Sequence, residues 1–510
     1  MTALPPLRAP REDGAILAIP PLGRAGAVLA RNRARLALLP EDWHEISSEA
    51  RALFGSPDPA APLLLAGHQP ELFHPGVWLK NFALAGLARA HRGVAINLVV
   101  DNDAVKSLSL AVPVPGDPVP RRIELAFAHA DPETPWEECR IDDAKAFEAF
   151  GAQVAERLRP WGYEPLIASF WPRVCGHMAD GRPGYAFAAA RRDLEREWGC
   201  HNVEVPMSRV CDSRAFHSFV GLLLRDPPRL LHDYNEAVRA YRRRHGLRSK
   251  NHPVPDLVVE GDWCELPLWA WRSDRRPVRR GRLFARRRGD RVELRCGAEV
   301  FVEQASRLLS SVGEADPHRT QAGRLSYDAP FKIRSRALTT TLFARLCLGD
   351  VFVHGIGGGK YDELTDDIIR RIWGIEPPEF IVLTGTCLLP LPAPQMSDED
   401  VGGAARRLRD LDWNPQRYVA DGETDGLLAE RRSLVGESPP THARRRERFR
   451  RLQEINARLR PHVARQRQEA ERDLRQARES LAVRGMLRRR DYSFCLYPED
   501  RLRAFCTRVL

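Results

Sequence analysis

The chain has 510 residues, of which 43% are hydrophobic and 29% charged, an ordinary balance for a folded protein apart from the high charge. A chain of this length is too long for one compact core, so we expect several domains or a core with large insertions. No apolar run approaches the length that crosses a bilayer, and residues 1–13 lack the apolar stretch of a signal peptide, so the sequence predicts a cytoplasmic protein.

Residues 1–62 form a lead-in with helical patterns near 25–39 and 40–54 and no predicted site. The following segment, 63–107, predicts a strand, a helix and a second strand. Its two short apolar runs flank residues 77–90, in which apolar side chains recur at helical spacing. This order implies a right-handed parallel crossover, and ligands of such sheets gather at the carboxyl ends of the strands.

Polar residues follow the first predicted strand. Free N–H groups at the start of the next helix, beside Gly67, could bind an anion or a carboxylate there. His68 could act as a general acid or base; alternatively, His68 and Gln69 hydrogen-bond the loop backbone and only cap the sheet. Lys80 lies early in the same helix. Because arginine is the usual cation of this chain, a retained lysine indicates amine chemistry or a special geometry.

Asp101, Asn102 and Asp103 follow the second predicted strand. Two carboxylates in one concave site can bind Mg²⁺, hold an amine, or divide into an acid and a base. If the segment is extended, alternation points Asp101 and Asp103 to the same face. The alternative is that one of them caps a turn or a helix.

The middle of the chain reads as subdomains inserted at about residues 140–330. A strand is predicted at 123–127, and four helices follow it. Short strands with charged turns between residues 257 and 302 predict a small antiparallel sheet. The four helices are predicted at 142–159, 185–198, 210–225 and 230–245.

A second crossover is predicted at 333–386, and it completes the core of 63–392. A glycine-rich turn follows its first strand, in the setting where glycine backbone cradles phosphate, although the Walker A spacing is absent. A glycine turn needed only for packing is the alternative. Arg334 and Arg336 could clamp a carboxylate or phosphate. The candidate ligand contacts of the turn are His354, Gly357, Gly358, Gly359, Lys360 and Tyr361.

Residues 393–486 predict a helical coiled-coil arm, and 487–510 a tail that returns to the core. Apolar residues recur at spacings of three, four and seven, Thr441 is a natural N-cap, and Pro461 should split the long helix. Glutamates alternate with the many arginines here, which is typical of a solvated, ion-paired helix face. A nucleic-acid partner is therefore not favoured.

The ten cysteines are scattered, without any Cys-x-x-Cys pair. This spacing argues against a zinc ribbon or a thioredoxin motif. Combinations such as Cys175 with His177 match no standard metal template. Reduced thiols are expected, and no metal site is predicted.

In order along the chain, these blocks resemble the bacillithiol biosynthesis cysteine-adding enzyme (BshC) family. The resemblance covers about 63–510 and includes the Gly67–Gln69 strand end, the Asp101–Asp103 strand end, and the glycine turn before Tyr361. Asn102 stands where the family pattern has histidine, and Lys360 where it has an acidic residue. The long helical arm follows in the expected position.

The resemblance implies a Rossmann-like α/β core similar to class I aminoacyl-tRNA synthetase folds, with insertions and a dimerising coiled-coil arm. It implies a ligase that joins cysteine to glucosaminyl malate, and an adenine nucleotide (ATP or ADP) as a possible cofactor. His68, Gln69, Asp101 and Asp103 would line the pocket, with His68, Asp101 and Asp103 catalytic. The alternative is a non-catalytic scaffold that binds a metabolite or nucleotide. Small-molecule substrates and a homodimer are the expected partners, without a membrane.

Overall fold

A computed structural model of the protein describes residues 7–55, 58, 60–116, 119–249, 251–289, 291–301, 331–420 and 424–510. It contains two compact units. Unit 1 comprises Met1–Val112, Ile123–Leu389 and Arg490–Leu510, and unit 2 comprises Pro113–Arg122 and Pro390–Arg489. The predicted end of the inserted subdomains, at residue 330, lies outside the described residues.

Fourteen strands occur in the described part of the chain. In order, they are β1 (Ile16–Ile19), β2 (Leu63–His68), β3 (Val94–Val99), β4 (Ser109–Val114), β5 (Arg121–Ala126), β6 (Val203–Pro206), β7 (Val259–Glu260), β8 (Trp263–Arg272), β9 (Gly281–Arg288), β10 (Arg291–Cys296), β11 (Glu299–Phe301), β12 (Phe331–Ser335), β13 (Val351–His354) and β14 (Phe380–Gly385).

The α-helices of the same residues alternate with these strands in unit 1 and make up most of unit 2. They are α1 (Ala25–Leu36), α2 (Glu41–Ala52), α3 (Pro75–Ala90), α4 (Ala144–Leu158), α5 (Ile167–Gly176), α6 (Pro183–Glu197), α7 (Met207–Cys211), α8 (Arg214–Leu223), α9 (Pro227–Arg244), α10 (Ala337–Phe343), α11 (Ile356–Trp373), α12 (Asp398–Trp413), α13 (Asp425–Gly436), α14 (His442–Leu459), α15 (Ala464–Leu487) and α16 (Glu499–Cys506). Among the described residues, no helix is long and apolar enough to span a membrane.

The main sheet of unit 1 has the strand order β1-β14-β13-β2-β3-β6. Its last five strands are mutually parallel, whereas β1 pairs antiparallel with β14 at the edge. Leu65 lies in register with Ile96 on one side and with Phe352 on the other, so buried apolar side chains cross the sheet in a row. The predicted α/β class is confirmed.

Helices cover both faces of the main sheet. The helix α3 packs against β2, β3 and β14 and is apolar nearly all round, as expected for a helix buried on most sides. Trp78 and Phe82 of α3 are fully buried. On the other face, Leu65 and Ile96 belong to a core shared with Phe216 of α8. This packing holds the carboxyl ends of the strands in a fixed frame.

A second sheet has the order β11-β10-β9-β8-β12, with β7 paired to β8, and confirms the small antiparallel sheet predicted near 257–302. The strand β12 was not predicted, although its apolar residues alternate with Lys332 and Arg334 as in a half-buried strand. It pairs with β8, placing Ile333 opposite Ala270. Arg334 and Arg336 are therefore carried by the edge of this second sheet and the residue after it.

Unit 2 is helical in its described residues 390–420 and 424–489. As predicted, the long helical pattern is split at Pro461, where a short 3₁₀ turn separates α14 from α15. Thr441 caps α14 by accepting from Arg444 N at 3.4 Å, as predicted. Leu411, Val463 and Ala470 form a small core between α12, the turn and α15.

Two local predictions were wrong, and one strand was missed. The helix predicted at 210–225 is two helices, because Ser213 accepts from Phe216 N at 3.2 Å and starts a new one, α8. The strand β1 was not predicted, since its partner β14 lies far along the chain. The glycine run before Tyr361 is not a turn: α11 begins at Ile356 and contains Gly357, Gly358 and Gly359.

Candidate functional site

The carboxyl ends of three neighbouring strands carry most of the sequence-predicted site residues. His68 is the last residue of β2, and His354 is the last residue of β13 beside it. Asp101 lies two residues beyond β3, on the other side of β2. The parallel order of the strands therefore puts these groups at one edge of the main sheet.

His68 is held in one tautomer. Its Nδ1 lies 3.0 Å from the carbonyl oxygen of Gln69, which can only accept, so Nδ1 carries the proton and Nε2 the lone pair. Burial, reinforced by the positive charges of Arg191 and Lys80, lowers the pKa of His68 well below its usual range. The ring is thus neutral, with its lone pair on Nε2, and the lowered pKa makes it a weaker base than a free imidazole. This atom is buried and has no hydrogen-bond partner among the described residues.

Lys80 is a buried cation whose ammonium group donates to the backbone. Its Nζ donates to the carbonyl oxygen of Gly67 at 3.1 Å, and the side chain is 4% exposed. Within the described ranges, Lys80 forms no ion pair with a carboxylate, and burial lowers its pKa to about 8. A buried ammonium without a counter-charge favours an anion beside it.

We expect Lys80→Met to raise the free energy of unfolding at neutral pH by about 1 to 3 kcal/mol, since it removes a desolvated charge. The folded pKa of Lys80 is below the unfolded one, so the unfolded chain binds more protons between about pH 8 and about pH 10. The unaltered protein should gain stability as the pH rises through that window, and the variant should not. Urea unfolding across this range measures the difference; identical pH profiles would contradict the assignment.

His354 forms a buried pair with Asp362. The His354 Nε2 lies 2.7 Å from Asp362 Oδ2, so Nε2 donates and the lone pair is on Nδ1. Asp362 also accepts from Arg345 Nη1 at 2.7 Å and from Thr341 Oγ1 at 2.7 Å. Burial opposes the charge of Asp362, but Arg345 and His354 outweigh it and hold its pKa well below the usual range. The carboxylate is therefore ionised and fixes the orientation of the imidazole.

The glycines of α11 allow a close approach to this imidazole. A Cβ at Gly358 would lie 2.7 Å from His354 Nδ1, and a Cβ at Gly359 would press on Val382. At Gly357 a Cβ would meet nothing within 4 Å. Gly355 is the N-cap and offers no side chain, so the first turn of α11 presents N–H groups without a side-chain cap. Open space beside uncapped N–H groups suits an anionic ligand.

Asp101 binds the start of α7. Its two carboxylate oxygens accept from Ser208 N at 2.8 Å and Ser208 Oγ at 2.5 Å. Burial, with the nearby charge of Glu137, raises the pKa of Asp101 to about 7 despite these hydrogen bonds. A carboxyl group that titrates near neutral pH can give or take a proton.

Asn102 and Asp103 point to other partners. The expected alternation fails because residues 101–103 form a turn, in which Asp101 N bonds back to Val99 O at 2.9 Å. Asn102 is 1% exposed and donates to Ser335 O at 2.8 Å. Asp103 accepts from Gln69 Nε2 at 2.9 Å and pairs with Arg280. The two acids therefore have separate sets of neighbours.

Arg334 has no donor to spare for a ligand. It is 1% exposed, and its five N–H groups are used by Glu137, by Asp212 and by the Ile333 carbonyl. The two Glu137 bonds, at 2.7 and 3.0 Å, form a bidentate pair. In this arrangement Arg334 joins β12 to Glu137 and Asp212.

The remaining predicted contacts lie in different surroundings. Arg336 donates to Glu265 Oε1 at 2.8 Å and stacks over Trp269 at 4.1 Å. Lys360 is exposed, and the ring of Tyr361 is 38% exposed. These three side chains are not brought to His68 by any contact within the described structure.

A buried ionic cluster behind His68 escaped the sequence-based prediction. Glu195 accepts from Arg191 Nη1 at 2.6 Å, from Trp78 Nε1 at 2.6 Å and from Asn81 Nδ2 at 2.7 Å. Arg191 also pairs with Glu204 of β6. The spacing of Arg191 and Glu195 in α6 was a visible signal, but it is also the commonest surface pattern of helices. Asp362, eight residues beyond His354, had no such signal.

Other features do not identify the site further. Among the described residues, no group of three or more His, Cys, Asp or Glu side chains could hold a metal ion. All ten cysteines are free thiols, and eight are buried. No protein-family model and no curated protein matches the chain in sequence. Any function must therefore be inferred from the geometry of the site.

Proposed function

We propose that this protein is an enzyme of the BshC-like group, which joins small polar metabolites through an amide-type bond at the carboxyl end of the main sheet. The proposal rests on Lys80, which is buried and forms no ion pair with a described carboxylate. The neutral imidazoles of His68 and His354 and the uncapped first turn of α11 belong to the same unit. Lys80 contributes to the lowered pKa of both His68 and His354. A positive site with two neutral bases suits a reaction between an anionic carboxyl donor and an amine.

In this proposal the chain's own residues divide the work. Lys80 and the N–H groups near Gly357 bind anionic groups, and Asp101 and Asp103 orient the amine. His68 takes the proton that the amine loses as its nitrogen bonds to the activated carboxyl carbon and the C–O bond to the leaving group breaks. An adenine nucleotide would supply that leaving group by activating the carboxylate, and the N–H groups beside the open space at Gly357 would hold its phosphates.

His354 is a second proton acceptor within the same proposal. Its tautomer is fixed by Asp362, which is the arrangement that a general base needs. By contrast, Asn102 bonds Ser335 and supplies no titratable group where the family pattern has histidine. The substrate pair of this chain can therefore differ from cysteine and glucosaminyl malate.

Ligand screening followed by turnover tests the proposal. ATP, ADP, cysteine and amino-sugar malates are screened by thermal shift, and combinations that bind are assayed for amide formation. His68→Ala should lower turnover by at least about a hundredfold, the range of general acid–base catalysis. Asp101→Asn, which alters a group that orients the amine, should also lower turnover, by about a hundredfold. Full turnover in both variants would overturn the assigned roles.

Gly357→Ala offers a sharper test of the anion site. A Cβ here meets no atom within 4 Å, and alanine favours a helix over glycine by roughly 0.5–1 kcal/mol. The variant should therefore be as stable as the unaltered protein, or more so, yet show a smaller thermal shift with ATP or ADP. An unchanged nucleotide shift would place the phosphates elsewhere.

A second candidate is a non-catalytic scaffold that binds a metabolite or nucleotide. It is favoured by the burial of His68 Nε2 and by the capture of both Asp101 oxygens by Ser208. A thermal shift with nucleotide, but no product with any carboxyl and amine pair, would support this candidate over the enzyme.

The proposal extends to architecture and location. It treats the main sheet as a Rossmann-like core and residues 393–486 as a coiled-coil arm through which two copies associate in the cytoplasm. Sedimentation of the full chain gives its oligomeric state, and a monomer at micromolar concentration would contradict the dimer.

A further inference from the structure

The first half of α14 is a dense run of exposed arginines. Six of the eight residues 444–451 are arginine, and Glu447 is the only acid among them. Residues 444–447 and 450 are exposed, and 448 and 451 are half-buried. The positive end of the helix dipole lies at the same place, since α14 begins at His442.

Carboxylates neutralise little of this charge. Arg451 is held by Glu430, at 2.6 and 3.1 Å, and by Glu454 at 3.0 Å. Arg445 and Arg448 donate only to backbone carbonyls of the preceding connection. Arg444, Arg446 and Arg450 form no ion pair with any described residue. The ion-paired face expected from the sequence is thus limited, within this run, to Arg451.

The arginines border a cleft of about 700 Å³ between the end of α13 and the start of α14. Arg444, Arg448 and Arg451 are spaced by four and three residues, so they line one side of the helix toward it. Pro439 and Pro440 also line the cleft, as do the carboxylates of Glu437, Glu447 and Glu454. Four arginines outnumber these three acids, and concave walls with an excess of guanidinium groups suit phosphate groups.

An exposed aromatic ring lies within the same run. Phe449 is 55% exposed, although a phenylalanine in a helix usually packs inward. Arg446 and Arg450 lie three residues before it and one after it on the helix. An exposed ring among unpaired guanidinium groups is the combination that binds single strands, in which a base stacks while phosphates are neutralised.

We propose that the α13–α14 cleft, with Phe449 and the unpaired arginines, binds single-stranded nucleic acid. The basic run continues beyond the cleft through Arg445 and Arg446, so it suits a chain of phosphates better than one nucleotide. A duplex would hide the faces of its bases from Phe449. This inference concerns unit 2 alone and is independent of the chemistry proposed for unit 1.

Fluorescence anisotropy of the full-length protein with a labelled oligouridine of about twelve nucleotides tests the proposal. Affinity should fall with salt at a slope near −2, as expected for about three phosphates at −0.7 each. The triple variant Arg444→Gln, Arg446→Gln, Arg450→Gln should bind at least about tenfold more weakly. Phe449→Ala should lower the affinity for oligouridine about tenfold and leave the slope of its salt dependence unchanged.

The control removes the same charge elsewhere in unit 2. Arg472, Arg475 and Arg478 of α15 are exposed and form no ion pair with a described residue. Changing all three to Gln should lower the affinity for oligouridine by less than about threefold. Circular dichroism checks that each variant keeps its helical content. Absence of oligouridine binding at low salt, or equal loss in the control, would overturn the proposal. So would equal affinity for duplex RNA or for inorganic tripolyphosphate.

Discussion

Arg334→Ala is expected to lower the free energy of unfolding by about 3–5 kcal/mol, the cost of removing one partner from a buried ion pair. Among the described residues, the change leaves the buried Glu137 with Lys332 as its one cationic partner, at 3.0 Å. It also removes the four hydrogen bonds that join β12 to Glu137 and Asp212 in unit 1, and a fifth to the neighbouring Ile333 carbonyl. Urea unfolding followed by tryptophan fluorescence measures the loss.

The loss should shrink on acidification. Burial raises the pKa of Glu137, but Arg334 and Lys332 outweigh burial, so its pKa lies below the usual value. The unaltered protein therefore loses stability as the pH falls through that lowered pKa, whereas the variant's Glu137 takes up a proton more readily. Arg465→Ala, which removes a side chain that is 90% exposed, serves as the control and should change stability by less than about 1 kcal/mol. A similarly small effect of Arg334→Ala would refute the structural role.

Gly76→Ala should cost at least about 3 kcal/mol, at the upper end of overpacking effects. A Cβ at this position would collide with the backbone carbonyl oxygen of Gly385 and lie 2.8 Å from Arg490 Nη2. Backbone cannot move aside as a side chain can, so the first turn of α3 would separate from the end of β14. Thermal unfolding measures the destabilisation, and the folded fraction is checked by circular dichroism.

Gly357→Ala is the matched control for this change. Both glycines lie in the first turn of a helix at the same end of the main sheet, but only position 76 is filled by neighbouring backbone. If both variants had the same melting temperature, close packing at position 76 would not be the cause.

The parts of the fold that could be predicted have local signals. The strands β2 and β3 and the helix α3 between them lie within 40 residues. Their apolar runs and helical spacing are local patterns, so each one predicts the element in which it occurs. Thr441 likewise marks a helix boundary through its side-chain cap, and Pro461 through its missing backbone N–H. Such residues act on the chain that immediately surrounds them.

The rest depends on partners that the sequence does not join. In the sequence, Arg334 resembles a residue that binds an anionic ligand. In the structure, its guanidinium pairs with Glu137, 197 residues away. Glycines at 357–359 are typical of a loop, yet they lie in the first turn of a helix, where His354 and Val382 leave no room for a Cβ at 358 and 359. His68 has the tautomer that a general base needs, but its lowered pKa also depends on the positive charges of Arg191 and Lys80. Pairings of this kind are decided by tertiary packing.

The antiparallel edge strand β1 has a consequence for the order of folding. Gly14 beside β1 bonds Thr386 after β14, and Asp13 pairs with Arg501 of α16, 488 residues along the chain. Contacts of such sequence separation form late and slow folding, because a long loop must close before they contribute. During synthesis, β1 must therefore stay unpaired until β14, at Phe380–Gly385, has emerged. Residues 7–112 would spend that time as an incomplete α/β layer, exposed to misassembly or in need of a chaperone.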